Sequence, residues 1–280
     1  MKSFFTKERI RAIISFVFAF FVSLGLFGAA ISAGALYFIK DSTITACIKN
    51  SNYTALATEC LTEELNELAI PSGLPEDFFD GKIDQKEFEN IFYNSLKNVL
   101  SKNSEYTINL DGFKNSVATA VNEYVKDTTD DITEDIKNDI TSFSDACGNI
   151  YLSYVNPSLL SYILNLLTKA YKYIIAVNAV CAVLALACGF ALFRMNSTSR
   201  FIKYAFGAVS GAALSVGVIP GYLLITNEVS KIGITLKSLH AVISALANNF
   251  LIISVVIALI LATFALILAS IKIFGLIFRK

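Results

Sequence analysis

Residues 250–270 read FLIISVVIALILATFALILAS, a run without one charged side chain. As a helix rising about 1.5 Å per residue, such a run is long enough to cross roughly 30 Å of hydrocarbon. A buried helix of a water-soluble domain has no need of it. Residues 12–39, 173–193 and 204–226 are equally free of charge and at least as long. The composition agrees: of 280 residues 55% are apolar and only 16% charged, where ordinary globular domains carry about a quarter charged residues. The chain therefore reads as an integral membrane protein with four spanning helices.

The formal net charge of zero conceals a segregation. Residues 41–168 hold 21 Asp and Glu against eight Lys, a net of about −13. Basic residues collect elsewhere. Lys2, Lys7, Arg9 and Arg11 precede the first span, Arg194, Arg200 and Lys203 lie between spans two and three, and Arg279 and Lys280 end the sequence. Cytoplasmic loops carry the excess of Lys and Arg, so all three regions give one orientation, with both termini in the cytoplasm and residues 41–171 outside it. The basic start and the small residues Ala29, Ala30 and Ala33 resemble a cleaved leader. However, the apolar run continues through Leu36, Tyr37 and Phe38, beyond a usual leader core, and a retained anchor is expected.

The expected organisation is all-α: a four-helix transmembrane bundle with a helical extracytoplasmic domain inserted between spans one and two. In chain order it comprises a cytoplasmic N-terminus (1–11), span one (12–39) and an acidic helical extracytoplasmic domain (40–157). A juxtamembrane extension with span two (158–194), a cytoplasmic turn (195–203) and span three (204–226) follow. An extracytoplasmic amphipathic helix (227–249), span four (250–276) and a cytoplasmic C-terminus (277–280) complete it.

Within the acidic segment the periodicity is helical. One helix is expected over residues 53–70, with Leu56, Cys60, Leu61 and Leu65 on its apolar side, ended by Pro71, Gly73 and Pro75. Asp84-x-x-Glu87 resembles a capping box opening a second helix striped by Phe88, Ile91, Phe92, Leu96 and Val99. Phe113, Val117, Val121, Tyr124 and Val125 stripe a third. Asp130 and Asp131 open a fourth, where the helix dipole favours acids, followed by Ile132, Ile136, Ile140, Phe143, Cys147 and Ile150. Four short amphipathic helices suffice for a small bundle. Past the third span, Val229, Ile232, Leu236, Leu239, Ile243, Leu246 and Phe250 keep a heptad-like spacing. They predict one continuous helix from Val229 into span four, with Leu236 and Leu239 packed on the acidic domain. The alternative is a separate surface helix bending near Asn248 and Asn249.

Few residues suggest chemistry. Residues 76–88, EDFFDGKIDQKEF, resemble the second half of a calcium-binding EF-hand loop, with Glu76, Asp80, Asp84 and Glu87 as candidate oxygens. Phe78 at the third loop position offers no oxygen, so the favoured reading is a glycine turn leading into a capped helix, and no metal or cofactor is expected. Cys47, Cys60 and Cys147 lie in the acidic domain, where at most one disulfide can join three residues, with both Cys47–Cys60 and Cys60–Cys147 open. Cys181 and Cys188 read as small packing residues of span two. Gly207-x-x-x-Gly211 and Gly217-x-x-x-Gly221 in span three suit close helix approach. Packing among the four spans is the first reading and homo-oligomerisation the second.

The lone His240 excludes a multi-histidine zinc site or relay, and the most polar group deep in a span is Asn178, not an ionisable residue. No nucleophile elbow or phosphate loop is present, and no catalytic residue is assigned. The acidic surface disfavours nucleic acid. Asn52-Tyr53-Thr54 fits a glycosylation sequon, meaningful in a eukaryotic secretory pathway.

The arrangement resembles uncharacterised multi-pass membrane proteins of Gram-positive bacteria, in which an N-terminal anchor precedes an Asn/Lys-rich helical outer domain. The resemblance rests on NSNY at 50–53, IDQKEFENIF at 83–92, YTINLD at 106–111 and YVKD at 124–127. It implies a place in the cell envelope and no activity. Tetraspanins and claudins share only the span count. The expected function is that of a non-enzymatic cell-surface protein whose outer domain binds, senses or scaffolds partners. Those partners are the lipid bilayer and a protein of the membrane or envelope. The alternative is a channel or transporter subunit passing substrate between the spans.

In a background lacking native cysteines, Thr198→Cys is expected to resist an impermeant thiol reagent in whole cells while Thr128→Cys is labelled. The opposite pattern would invert the topology.

Overall fold

The computed structural model describes residues 7–101, 107–128 and 133–277, with side chains as far as residue 273. Lys2, Tyr106, Asp130, Asp131, Ile132, Arg279 and Lys280, on which expectations above depend, lie outside the described residues. Among those described there are nine α-helices and no strand. They are α1 (Lys7–Phe38), α2 (Asp41–Asn50), α3 (Tyr53–Ala69), α4 (Gln85–Ser101), α5 (Asp111–Thr128), α6 (Glu134–Val155), α7 (Ser158–Met195), α8 (Thr198–Thr226) and α9 (Lys237–Ile277). Four apolar helical stretches, carried by α1, α7, α8 and α9, are long and apolar enough to cross a membrane. The chain divides into two compact units.

The first unit comprises Met1–Ile44, Lys169–Ile232 and Leu246–Lys280, and α1 is the helix on which its others pack. A Cβ added at Gly25 would stand 2.8 Å from the Cys181 carbonyl oxygen and 2.9 Å from the Ala185 nitrogen, so the backbones of α1 and α7 nearly touch. On the same side, Asn178 Nδ2 donates to the Ala29 carbonyl (3.0 Å) and to Ser32 Oγ (2.9 Å). Toward the other end of the pair, Asn196 Nδ2 donates to the fully buried Ser15 Oγ at 2.9 Å. Toward α8, Gly211 leaves room for Ser23, and toward α9, Gly34 leaves room for Ile257. Small apolar clusters fill the gaps, Ala19 with Leu192 and Ala208, and Ala30 with Val216 and Ala258.

Of the four glycines singled out in the third span, Gly211 meets α1 and Gly217 meets Ala258 of α9, while Gly207 and Gly221 have nothing within 4 Å of a Cβ. Approaches as close occur at Gly25 and Gly28 of α1, which face Cys181. Cys181 and Cys188 are packing residues here, the first half-buried and the second buried.

The second unit comprises Thr45–Thr168 and Gly233–Ala245. Its axis is α3, whose buried row Tyr53, Ala57, Leu61, Leu65 and Ala69 recurs every four residues. This face is rotated from the expected one: Leu56 and Cys60 lie at its half-buried margin. Phe88, Phe92, Leu96 and Leu100 of α4 and Ile140, Cys147, Tyr151 and Val155 of α6 complete the core. Aromatic rings lock these helices: Tyr53 against Phe92 (4.7 Å between centroids), and Tyr151 between Phe88 (5.6 Å) and Phe113 (4.2 Å). Tyr53 Oη donates to the Tyr154 carbonyl at 2.6 Å, so a buried hydroxyl finds its partner. Lys114 lays its stem over Gly148 and reaches Asp145 at 2.7 Å, pairing α5 with α6.

Several expected boundaries move. The amphipathic helix expected over 227–249 does not form as such: Asn227 in the left-handed region (φ 52°) closes α8, a short 3₁₀ turn spans Glu228–Lys231, and α9 starts only at Lys237. Between them stand Ile232, Gly233, Ile234 and Thr235, all poor helix formers. The stripe is thus helical only from Leu239 onward, and α9 runs through Asn248 and Asn249 unbroken. Leu239 is nevertheless buried, as expected, whereas Leu236 is exposed; both line a cavity beside Tyr53, Tyr154 and Leu159. Only Asn196 and Ser197 separate α7 from α8, and the first described residue, Lys7, already lies within α1. α2 was not anticipated as a separate helix.

Helix association inside lipid depends on close packing and interhelical hydrogen bonds, the latter about 0.6–1.7 kcal/mol each. Asn178→Leu should therefore lower the melting temperature of the purified chain modestly, and Gly25→Leu should lower it further by forcing α1 and α7 apart. Equal tolerance of both changes would contradict the packing described.

Candidate functional site

A cavity of about 590 Å³ opens in the second unit among α3, α5 and α6. Volumes of 300–1,000 Å³ suit small-molecule ligands. From α5 it takes Val121, Tyr124, Val125 and Thr128, which recur at three- and four-residue steps and share one face. From α6 it takes Ile136, Asp139, Ile140, Phe143 and Ala146, in the same register. Leu68 at the end of α3 and the Ser72–Gly73–Leu74 turn close one side. Gly73 sits at φ 77°, a left-handed conformation that a side chain would strain, and its amide donates to the Ile70 carbonyl to end a 3₁₀ turn over Ile70–Ser72.

Behind the cavity lies the loop that resembles half an EF-hand. Asn66 of α3 holds it twice: its Oδ1 accepts the Phe79 N–H and its Nδ2 donates to Asp80 Oδ1, both at 2.8 Å. This fixes Phe78 and Phe79, both buried, as props for the cavity wall. Phe78 meets Tyr124 edge-on at 6.0 Å, and Phe79 stacks on Phe143 at 6.2 Å. Lys82 Nζ stands 3.4 Å from the Phe78 ring centroid, a cation–π contact. Gly81 takes φ 70° to turn the chain toward α4.

The four candidate calcium oxygens have separate tasks. Asp80 pairs with Asn66, and Asp84 Oδ1 caps α4 by accepting from the amides of Lys86 (2.8 Å) and Glu87 (3.3 Å). Glu76 is exposed, and Glu87 stands beside Gly112. Among the described residues no three His, Cys, Asp or Glu side chains converge as a metal site would require. The loop props the cavity wall with aromatic rings, a role visible in the sequence only as Phe78 at a loop position where an ion-binding loop needs oxygen, with Phe79 beside it.

The three cysteines of this unit are free thiols, Cys47 and Cys147 buried and Cys60 half-buried. Burial pushes the Cys147 thiol up to about 12, which keeps it protonated and unreactive at neutral pH. Burial likewise raises Tyr53 and Tyr154, the latter also through its hydrogen bond to Glu64. A second cavity, about 330 Å³, is lined by Tyr53, Glu64, Tyr154, Asn156, Ser238 and Leu239 among others. Its carboxylate already accepts from Tyr154 Oη at 2.8 Å, so its main polar group is committed internally.

Comparison of the chain with protein-family models, curated proteins and solved structures gave no match.

Asn66→Ala leaves the part-buried Phe79 amide without its partner and frees the loop. A loss of about 1–3 kcal/mol is expected, read as a lower urea midpoint of the purified chain, together with faster hydrogen exchange at residues 77–84. An unchanged midpoint would show that Phe78 and Phe79 hold themselves.

Proposed function

We propose that this is a non-enzymatic multi-pass membrane protein whose helical unit, held outside the cytoplasm between the first two spans, captures a small amphipathic ligand. The observation that carries this reading is the 590 Å³ cavity, with apolar walls from three helices and a few polar groups at Ser72, Thr128 and Asp139. Apolar cavities with sparse convergent polar groups are the usual form of a ligand site. The aromatic pair behind its wall favours a preformed site, which spares the ligand the cost of ordering it. The acidic composition of residues 41–168 and the basic residues flanking the spans support the topology. Within the spans Asn178 is hydrogen-bonded to Ser32 across α1 and α7, and at their end Asn196 of the following turn is bonded to Ser15, which commits these polar groups to packing rather than to a path for transport.

The chain has no Trp, so Phe143→Trp installs a single emitter in the cavity wall. In lipid nanodiscs, 8-bromooctanol should quench it saturably, because the heavy atom must approach the ring. Adding Ala146→Phe, which fills the cavity, should leave only the linear quenching due to lipid partition. Linear quenching in both proteins would remove the ligand-binding reading, and robust solute flux through liposomes carrying the purified chain would favour a channel.

A further inference from the structure

The cavity between α5 and α6 carries a charge of one sign, and we propose that it selects an amphiphile bearing a cationic amine. The cation lies against Asp139, and the apolar body lies among Val121, Tyr124, Ile140 and Phe143. This inference rests on the ligand-binding reading above and assigns the chemistry of the ligand.

Among the described residues Asp139 is the one lining carboxylate, and no described Lys, Arg or His lines the cavity with it. Among the described residues no basic side chain forms an ion pair with it, in contrast to Asp145 one and a half turns on, which Lys114 occupies at 2.7 Å. Asp139 and Phe143 are four residues apart on α6, so the carboxylate and the ring share a face of the helix. A cation brought to Asp139 therefore lies near an aromatic wall, and Tyr124 supplies a second ring from α5. Ring faces attract ammonium groups. Asp139 is exposed whereas Ile140 is buried, so the charge stands at the mouth and the apolar surface lies deeper. That order suits a charged head with an apolar tail. A carboxylate buried at the floor would instead favour a ligand entering head first.

The wider field has the same sign. The excess of 21 acidic over eight basic residues across 41–168 concentrates cations near this surface and repels anions. A fatty acid or an anionic lipid fits the apolar walls equally well but meets both Asp139 and that field with the wrong charge. Charge thus separates ligands that shape alone would admit.

Octylammonium, octanol and octanoate share a chain length and differ in charge, which isolates the proposed term. Each is allowed to displace 8-bromooctanol from the full-length Phe143→Trp chain in zwitterionic nanodiscs at pH 7. Octylammonium should displace it at about a fivefold lower concentration than octanol, the discrimination of a partly solvated ion pair, and octanoate should be weaker than both. Asp139→Asn, at an exposed position, should bring octylammonium to the affinity of octanol and change octanol much less. Equal displacement by octylammonium and octanol, or a preference that survives Asp139→Asn, overturns the proposal while leaving ligand binding intact. Failure of 8-bromooctanol to saturate the emitter at all removes the site itself, and both readings fall with it.

Discussion

Lipid tails are as apolar as leucine, so helices inside a bilayer gain nothing by hiding apolar surface from one another. The membrane unit depends on that constraint. Its cohesion must come from close approach and from hydrogen bonds, and both converge on α1. Gly25 leaves the room that the α7 backbone takes, Gly28 makes way for the Cys181 side chain, and Asn178 bonds across the same pair. Gly211 and Gly34 admit α8 and α9. Large side chains such as Phe16, Leu186 and Leu259 point outward and are exposed, as lipid-facing residues must be. A soluble bundle would place them in the reverse order.

The second unit obeys the opposite rule, and its interior is built from large apolar and aromatic side chains. Tyr53, Phe88 and Phe92 are among its most buried residues, and buried rings supply much of the area on which folding in water depends. Where such packing stops short, between α5 and α6, an apolar cavity remains, backed by rings that Asn66 holds in place.

Much of this was legible in the sequence because length and charge are robust signals. The four apolar helices are where the charge-free runs stand, and the end of α3 is where Pro71 and Gly73 require it. The capping role of Asp84 is likewise where its spacing placed it. What escaped depends on contacts distant in sequence. Glycine patterns in α8 were conspicuous, yet half of those residues face open space, because a small residue becomes a contact only if a neighbour arrives. Ten residues of mixed polarity, including the β-branched Thr43, Ile44 and Thr45, concealed α2. The heptad-like spacing after Val229 implied one helix, but Asn227, Gly233 and the β-branched residues around it decide the backbone locally. The cavity itself leaves no mark in the sequence, although Val121, Tyr124, Val125, Ile136, Ile140 and Phe143, which line it, belong to the apolar stripes. Periodicity shows which residues face inward, not how completely neighbouring helices fill the space between them.

The central claim is that the groove bounded by α5, α6 and the 72–74 turn holds a ligand. Hydrogen–deuterium exchange on the full-length chain in nanodiscs, with and without octylammonium, tests it most directly. Ligand contact slows local opening of the backbone it touches. The account predicts slowed exchange confined to residues 68–74, 121–128 and 136–146, abolished by Ala146→Phe. Slowing confined to α1 and α7–α9, or absent everywhere at saturating ligand, would contradict it.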